Sequence, residues 1–202
     1  MHRVFISYHH EDRAYKEELL QFNRDYGLFV DGSVDTGDIS DDLGDQEIRE
    51  KIRDNYLRDT TVTAVLVGRN TKGRKHVYWE ICSSMIDGKI NRRSGILVVL
   101  LPEVSNTNSW FAPYANEKSF VYPEWPNWVT YKTQAEYENN FPDVPNRIVD
   151  NLMKPNVDIS VVPWQKLNTE TLPFLIENAF NARASNQYDL GRFMRRASAP
   201  IR

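Results

Sequence analysis

Val62-Thr63-Ala64-Val65-Leu66-Val67 reads as a strand that is apolar on both faces. A strand of this kind belongs in a sheet covered on both sides, which in practice means a parallel sheet flanked by helices. Downstream, the spacing predicts a helix over Lys75–Asp87, closed by Gly88. A second continuous apolar strand, Ile96–Leu101, then runs into Pro102. Upstream, Val4-Phe5-Ile6-Ser7-Tyr8 is short and β-rich, and Tyr15, Leu19 and Phe22 follow at i, i+4, i+7 with Asp12 as candidate cap. Leu28-Phe29-Val30 reads as another strand. After it, Asp45 stands as the candidate cap of a helix whose apolar face is Ile48, Ile52 and Tyr56. Strand and helix alternate, so the fold is α/β with a parallel sheet. Ligands of such sheets gather outside the carboxyl ends of the strands, here Tyr8, Asp31, Gly68 and Pro102.

From Pro102 to about Pro142 the rhythm breaks. Trp110, Tyr114, Phe120, Tyr122, Trp125, Trp128, Tyr131 and Tyr137 make this stretch too aromatic for disorder, and packing is the first role for so many rings. It reads as an ordered Pro-rich insertion with a short strand at Ser119–Tyr122. A helix at about Val144–Met153, a strand at Asp158–Val162 and a helix at about Thr171–Ala182 restore the pattern. The expected organisation is one domain over 1–185 with an insertion at about 102–142. A frayed basic tail follows over 186–202, carrying Arg192, Arg195, Arg196 and Arg202.

A net charge of −3 gives no electrostatic reason to expect a nucleic-acid partner. Cys82 is the only cysteine, so no internal disulfide forms and a cytoplasmic address is expected. No apolar run reaches the roughly 20 residues that span a bilayer, and with strand pattern already at Arg3 no signal peptide is expected.

Several motifs fail on inspection. Gly68 to Lys75 has the glycine spacing of a phosphate-binding loop, but Arg74-Lys75 stands where Lys-Ser/Thr is required; its amides and Arg74 still suit a phosphate at a helix start. The six aspartates of Asp31–Asp45 do not follow calcium-loop spacing and read as a solvated loop. His9-His10 lacks companions for a metal site, leaving His9 to line the cleft and His10 to face solvent. Cys82, mid-helix, reads as a packing residue.

On the helical wheel of 75–87, Val77, Ile81, Ser84 and Met85 face the sheet and Trp79 projects the opposite way. Glu80 stands at the edge of the sheet face with His76 one turn before it. It is therefore the carboxylate of this helix expected to be half-buried beside the strand ends. The wheel alone favours a structural role for it, an i, i+4 contact with His76 or a salt bridge to a loop arginine.

Phe5-Ile6-Ser7-Tyr8 followed by Glu11-Asp12 resembles the opening of TIR domains. Asp59 to Gly68, then Asn70-Thr71 and Val77-Tyr78-Trp79-Glu80-Ile81, resembles the TIR-like branch of the bacterial Thoeris antiphage systems. The resemblance covers about 3–101 closely and 143–182 loosely. It implies a flavodoxin-like three-layer fold with a five-stranded parallel sheet. It also implies cleavage of NAD, as substrate rather than cofactor, at the nicotinamide–ribose bond by a glutamate that falls on Glu80. Ser7, Tyr8, His9, Asp31, Arg74 and His76 would border the dinucleotide, with no metal required. The product implied is a cyclic ADP-ribose-type signal acting on a separate effector protein, and self-association is implied as well. Family members often carry tryptophan four residues before the glutamate; here that place is His76. The departure keeps open a non-catalytic TIR-like module that binds a partner.

Overall fold

A computed structural model describes residues 1–33, 44–105, 110–125 and 131–194. Five strands form one all-parallel sheet: β1 (Arg3–Ser7), β2 (Val30–Asp31), β3 (Val62–Val67), β4 (Gly95–Leu100) and β5 (Ser160–Pro163), in the order β2-β1-β3-β4-β5. Ser7 stands opposite Val65, and Val65 opposite Val98, so the register is continuous across the centre.

The helices are α1 (Arg13–Tyr26), α2 (Asp45–Lys51), α3 (Lys75–Ser84), α4 (Ala115–Val121), α5 (Gln134–Asn140), α6 (Asn146–Leu152) and α7 (Thr171–Ala182). Side chains alternate along each strand and feed two layers. Val4, Ile6, Val62, Ala64, Leu66, Leu97 and Val99 pack beneath α1 and α7. Val65, Val67, Ile96, Val98 and Leu100 pack beneath α3 and α6. Gly95 permits the closest approach between layers: a Cβ there would lie 1.8 Å from the Ala179 carbonyl oxygen of α7. α1 ends on Gly27 at φ +63°, the left-handed cap that glycine adopts without strain.

Four local expectations are corrected. Ser119–Tyr122 is not a strand but the end of α4 and the residue after it, because Val121 turns inward and Tyr122 stacks on Trp110 with centroids 4.3 Å apart. α3 stops at Ser84 rather than running to Gly88, which belongs to the loop hydrogen-bonded to Asn91. Asp12 is not a side-chain cap, since its carboxyl takes Thr71 instead, and α2 is capped at Gly44, which makes Asp45 its first helical residue. Over its described part the tail is not frayed, since Asn186, Tyr188 and Met194 are buried. Buried Arg147 donates to the carbonyls of Asp189 and Arg192, and Tyr78 donates to that of Phe193 at 2.8 Å.

The aromatic insertion wraps the β5 edge, where Phe111 and Val161 exchange backbone hydrogen bonds of 2.9 and 2.8 Å. Tyr122 joins the α1/α7 layer, and Tyr137 and Phe141 join the α3/α6 layer. Most of its described rings therefore enlarge the core, while Phe120 stays exposed against Phe174; Trp128 lies outside the described residues.

Candidate functional site

β1 connects to β2 on one side of the sheet while β3 continues on the other, so the strand order reverses between β1 and β3. In doubly wound sheets of this order the crevice at the reversal is the place for a ligand. Ser7 ends β1 there, and α3 descends from the end of β3 beside it. The Ser7 hydroxyl, fully buried, donates to Oε2 of Glu80 at 2.7 Å. Val77, Ile81 and Met85 fix the rotation of α3 on the sheet, and Ser84 adds a 2.7 Å hydrogen bond to Thr63 of β3. This rotation leaves Glu80 at the margin of the sheet face, as the wheel predicts.

Trp79 does not project outwards, contrary to the wheel reading. It is fully buried with Phe5, Tyr78 and Cys82 against Ile48, Ile52 and Leu57. The wheel assumed one covered face, but α2 and the turn of π-helix after it, Ile52–Tyr56, cover the second flank of α3. Cys82 is buried and unbridged in the same cluster.

Glu80 is half-buried as a residue, yet its carboxyl is enclosed enough that burial pushes it up to about 7; the Ser7 hydrogen bond opposes that rise. Among the described residues Ser7 is its one hydrogen-bond partner, and no cation neutralises it. A carboxyl so placed accepts or holds charge near neutral pH, the range useful for catalysis.

The other candidates fall into two groups. His9 is 3% exposed and lies close enough to Arg74 to feel its charge; burial, His10 and Arg74 lower its pKa. Arg74 is the residue before α3, and His76 is exposed one turn before Glu80, edge-on to Trp79 at 5.9 Å. These residues share the α3 side of the sheet with Ser7 and Glu80. Tyr8 alternates to the opposite face, where it packs with the α1 layer beneath Lys16. Asp31 is exposed opposite Val4, three residues short of Ser7 and so about 10 Å down the sheet at ~3.3 Å per residue; its carboxylate accepts the Ser33 amide. The structure does not bring Tyr8 or Asp31 to Glu80. Asp35, Asp38, Asp41 and Asp42 lie outside the described residues.

One group was missed. Asp12 is buried where a Cβ on Gly68 would lie 2.6 Å from its oxygens, and it takes the Thr71 hydroxyl at 3.4 Å. Burial and Glu103 push its carboxyl up to about 6. Beside it, Asn70 donates to Glu11 at 2.7 Å. The loops after β1 and β3 are thus clasped across the reversal point. The signal was the Glu11-Asp12 pair, which has no apolar spacing to give it direction. Thr71 also satisfies the Gly68 amide at 2.9 Å, so the glycine loop closes on itself rather than opening as a phosphate cradle. Among the described residues no three His, Cys, Asp or Glu side chains gather as a metal site, and no helix is long and apolar enough to cross a membrane.

The five-stranded parallel sheet has the flavodoxin-like layout of a TIR-like domain. The sequence model of the family described as Thoeris protein ThsB, TIR-like domain, matches residues 5–106, half of the chain. The chain belongs to this family and is an antiphage-defence TIR-like module. The match spans β1 to β4 and includes Ser7, His9, Arg74 and Glu80; α4 to α7 and β5 lie beyond it. No curated protein matches the chain.

Proposed function

We propose that this protein cleaves NAD at the nicotinamide–ribose bond, with Glu80 as the catalytic carboxylate, and makes a cyclic ADP-ribose-type signal for a separate effector. The observation that carries the reading is the Ser7–Glu80 hydrogen bond of 2.7 Å at the sheet's reversal point. Nicotinamide departs as a neutral amine from a cationic ring, so no general acid is needed. Charge develops on the ribose as in other glycosidic cleavages. A carboxylate fixed by one hydroxyl and screened from water stabilises that charge far better than one in bulk solvent. Ser7 orients the carboxyl and keeps part of it ionised at neutral pH by opposing the effect of burial.

Purified protein incubated with NAD, alone and with extract of phage-infected cells, is expected to release nicotinamide and a cyclised product. A folded Glu80→Gln variant that releases nicotinamide at the full rate would remove Glu80 from the mechanism.

A specific observation favours a second reading. Trp79 is locked in the core and His76 is exposed, so no tryptophan flanks Glu80 on its open side among the described residues. In that reading the module binds a partner without cleaving NAD. Silence towards NAD in both assays, together with capture of a defined partner that Glu80→Gln does not weaken, would select it.

A further inference from the structure

We propose that the furrow between α1 and the turn that follows β5 is a binding site for a linear polyamine. The furrow belongs to the α1/α7 layer, across the sheet from α3 and Glu80, so the site is independent of the proposed reaction.

The furrow encloses about 370 Å³, a volume that suits a small molecule. Its floor is apolar. Leu19 and Phe22 of α1 form one wall, and Trp164 and Leu167 form the other. Both walls are fixed. Leu19 is buried in the core, and Tyr15 stands edge-on to Trp164 with centroids 5.3 Å apart. The Leu167 amide donates to the Trp164 carbonyl at 3.0 Å.

The charged groups of the lining are both acidic. Glu18 and Asp25 line the furrow, and no lysine, arginine or histidine does. They are seven residues apart on α1, close to two full turns. They therefore share a face and stand about 10.5 Å apart along the axis at ~1.5 Å per residue. Among the described residues neither makes an ion pair; Oδ1 of Asp25 accepts the Gln21 amide at 2.7 Å. The cations of α1 are engaged with other groups. Arg24 donates twice to Oε1 of Gln21, at 3.1 and 2.7 Å. Arg13 lies 3.9 Å from Glu17, and Lys16 sits over the Tyr8 ring.

This arrangement selects by charge and by length. An anion meets two carboxylates. A metal ion needs oxygens gathered around one point, and carboxylates two turns apart cannot share it. A linear polyamine matches every part of the furrow. Its terminal ammonium groups meet Glu18 and Asp25, and its methylene spacers leave water on the apolar floor. Its inner ammonium lies beside Trp164, the ring type that attracts cations best. Extended, a triamine with propyl and butyl spacers spans the gap between the two carboxylates.

Calorimetric titration of the full chain with spermidine tests this, with diaminopropane as a probe too short to reach both carboxylates. Spermidine is expected to bind, and diaminopropane to bind several-fold more weakly. Glu18→Gln and Asp25→Asn are each expected to weaken spermidine a few-fold and together roughly tenfold, as two exposed charge contacts would. Glu17→Gln, on the same helix outside the furrow, is expected to leave binding unchanged, as is Glu80→Gln. Trp164→Leu is expected to weaken spermidine several-fold at unchanged net charge; if it does not fold, the carboxylate variants decide. No binding of spermidine, or equal binding of the two amines, overturns the site. A loss in Glu17→Gln as large as in Glu18→Gln would mean an adventitious counter-ion only and overturns it as well. A basic peptide that binds where spermidine does not also overturns it and gives the furrow to a protein partner.

Discussion

Among the described residues two carboxyls are pushed up to about 7 by burial, Glu80 and Glu117, and their surroundings differ. Glu117 is 1% exposed between α4, α7 and the first residue of β5. Its Oε2 accepts both the Ser160 hydroxyl at 2.8 Å and the Asn178 amide at 3.1 Å. It lies at the starting edge of the sheet and is sealed. Glu80 lies at the carboxyl edge, is half-buried, and takes one donor. A raised pKa is therefore not the mark of a working group here. What separates the two is position: one ties three elements together at the starting edge of the sheet, the other stands half-buried at the carboxyl edge on a single donor.

The largest expected effect breaks the pair apart. Glu80→Gln should reduce nicotinamide release on the order of a hundred- to a thousandfold, the cost of losing one charge-stabilising group in an enclosed site. Glu117→Gln should leave the rate within about twofold, since its amide oxygen can accept the same two donors. Steady-state assays on both variants, with unfolding curves alongside, make the comparison. Equal losses would mean that Glu80 acts through stability alone.

A second measurement should bring the two together again. Each carboxyl holds its proton more tightly folded, at about 7, than unfolded near 4.5. The stability tied to that proton is present below pH 4.5 and lost as pH rises through 7. Either glutamine variant should thus gain stability over wild type between pH 5 and 8, by roughly 2 kcal/mol at the upper end. Urea unfolding at pH 5 and pH 8 reads this, and a constant difference across the range would contradict the burial of the carboxyl concerned.

The rate should carry the same titration with the opposite benefit. In the proposed reaction the working form is the carboxylate, so kcat/KM for nicotinamide release should climb with pH and level off above about 7. The kcat profile should turn at lower pH, because a bound cationic nicotinamide favours ionised Glu80. Profiles that coincide would argue against contact between Glu80 and the cationic ring.

The contrast also explains what was legible in the sequence. β3 at Val62–Val67 and α7 at Thr171–Ala182 stand where the pattern puts them, because long apolar periodicity is enforced by burial on known faces. The place of Glu80 at the edge of the sheet face was legible because Val77, Ile81 and Met85 set the rotation of α3. Trp79 was misjudged because the wheel cannot see that α2 covers a second flank. Glu117 was invisible: no periodicity around Asn116-Glu117-Lys118 marks a buried carboxyl, and only the docking of α4 on α7 buries it. Asp12 failed for the same reason, since its partners Gly68 and Thr71 come from a distant loop. Contacts between elements, rather than patterns within them, decide such polar groups.

The smallest expected effects lie in the two serines that hold the two carboxyls. Ser160→Ala removes one of two donors to Glu117 and should cost about 1 kcal/mol, with the rate unchanged. Ser7→Ala removes the one donor to Glu80, and that hydrogen bond is what holds the Glu80 pKa down against burial. Its loss should move the rise in kcat/KM to higher pH, so that the rate falls several-fold at pH 7 and recovers substantially by pH 8.5. Ser7→Thr keeps the hydroxyl and should restore the midpoint even if packing slows the turnover. A Ser7→Ala enzyme slowed equally at every pH would show that the hydroxyl only positions the carboxyl. A shifted midpoint would show that the bond also sets when Glu80 gives up its proton.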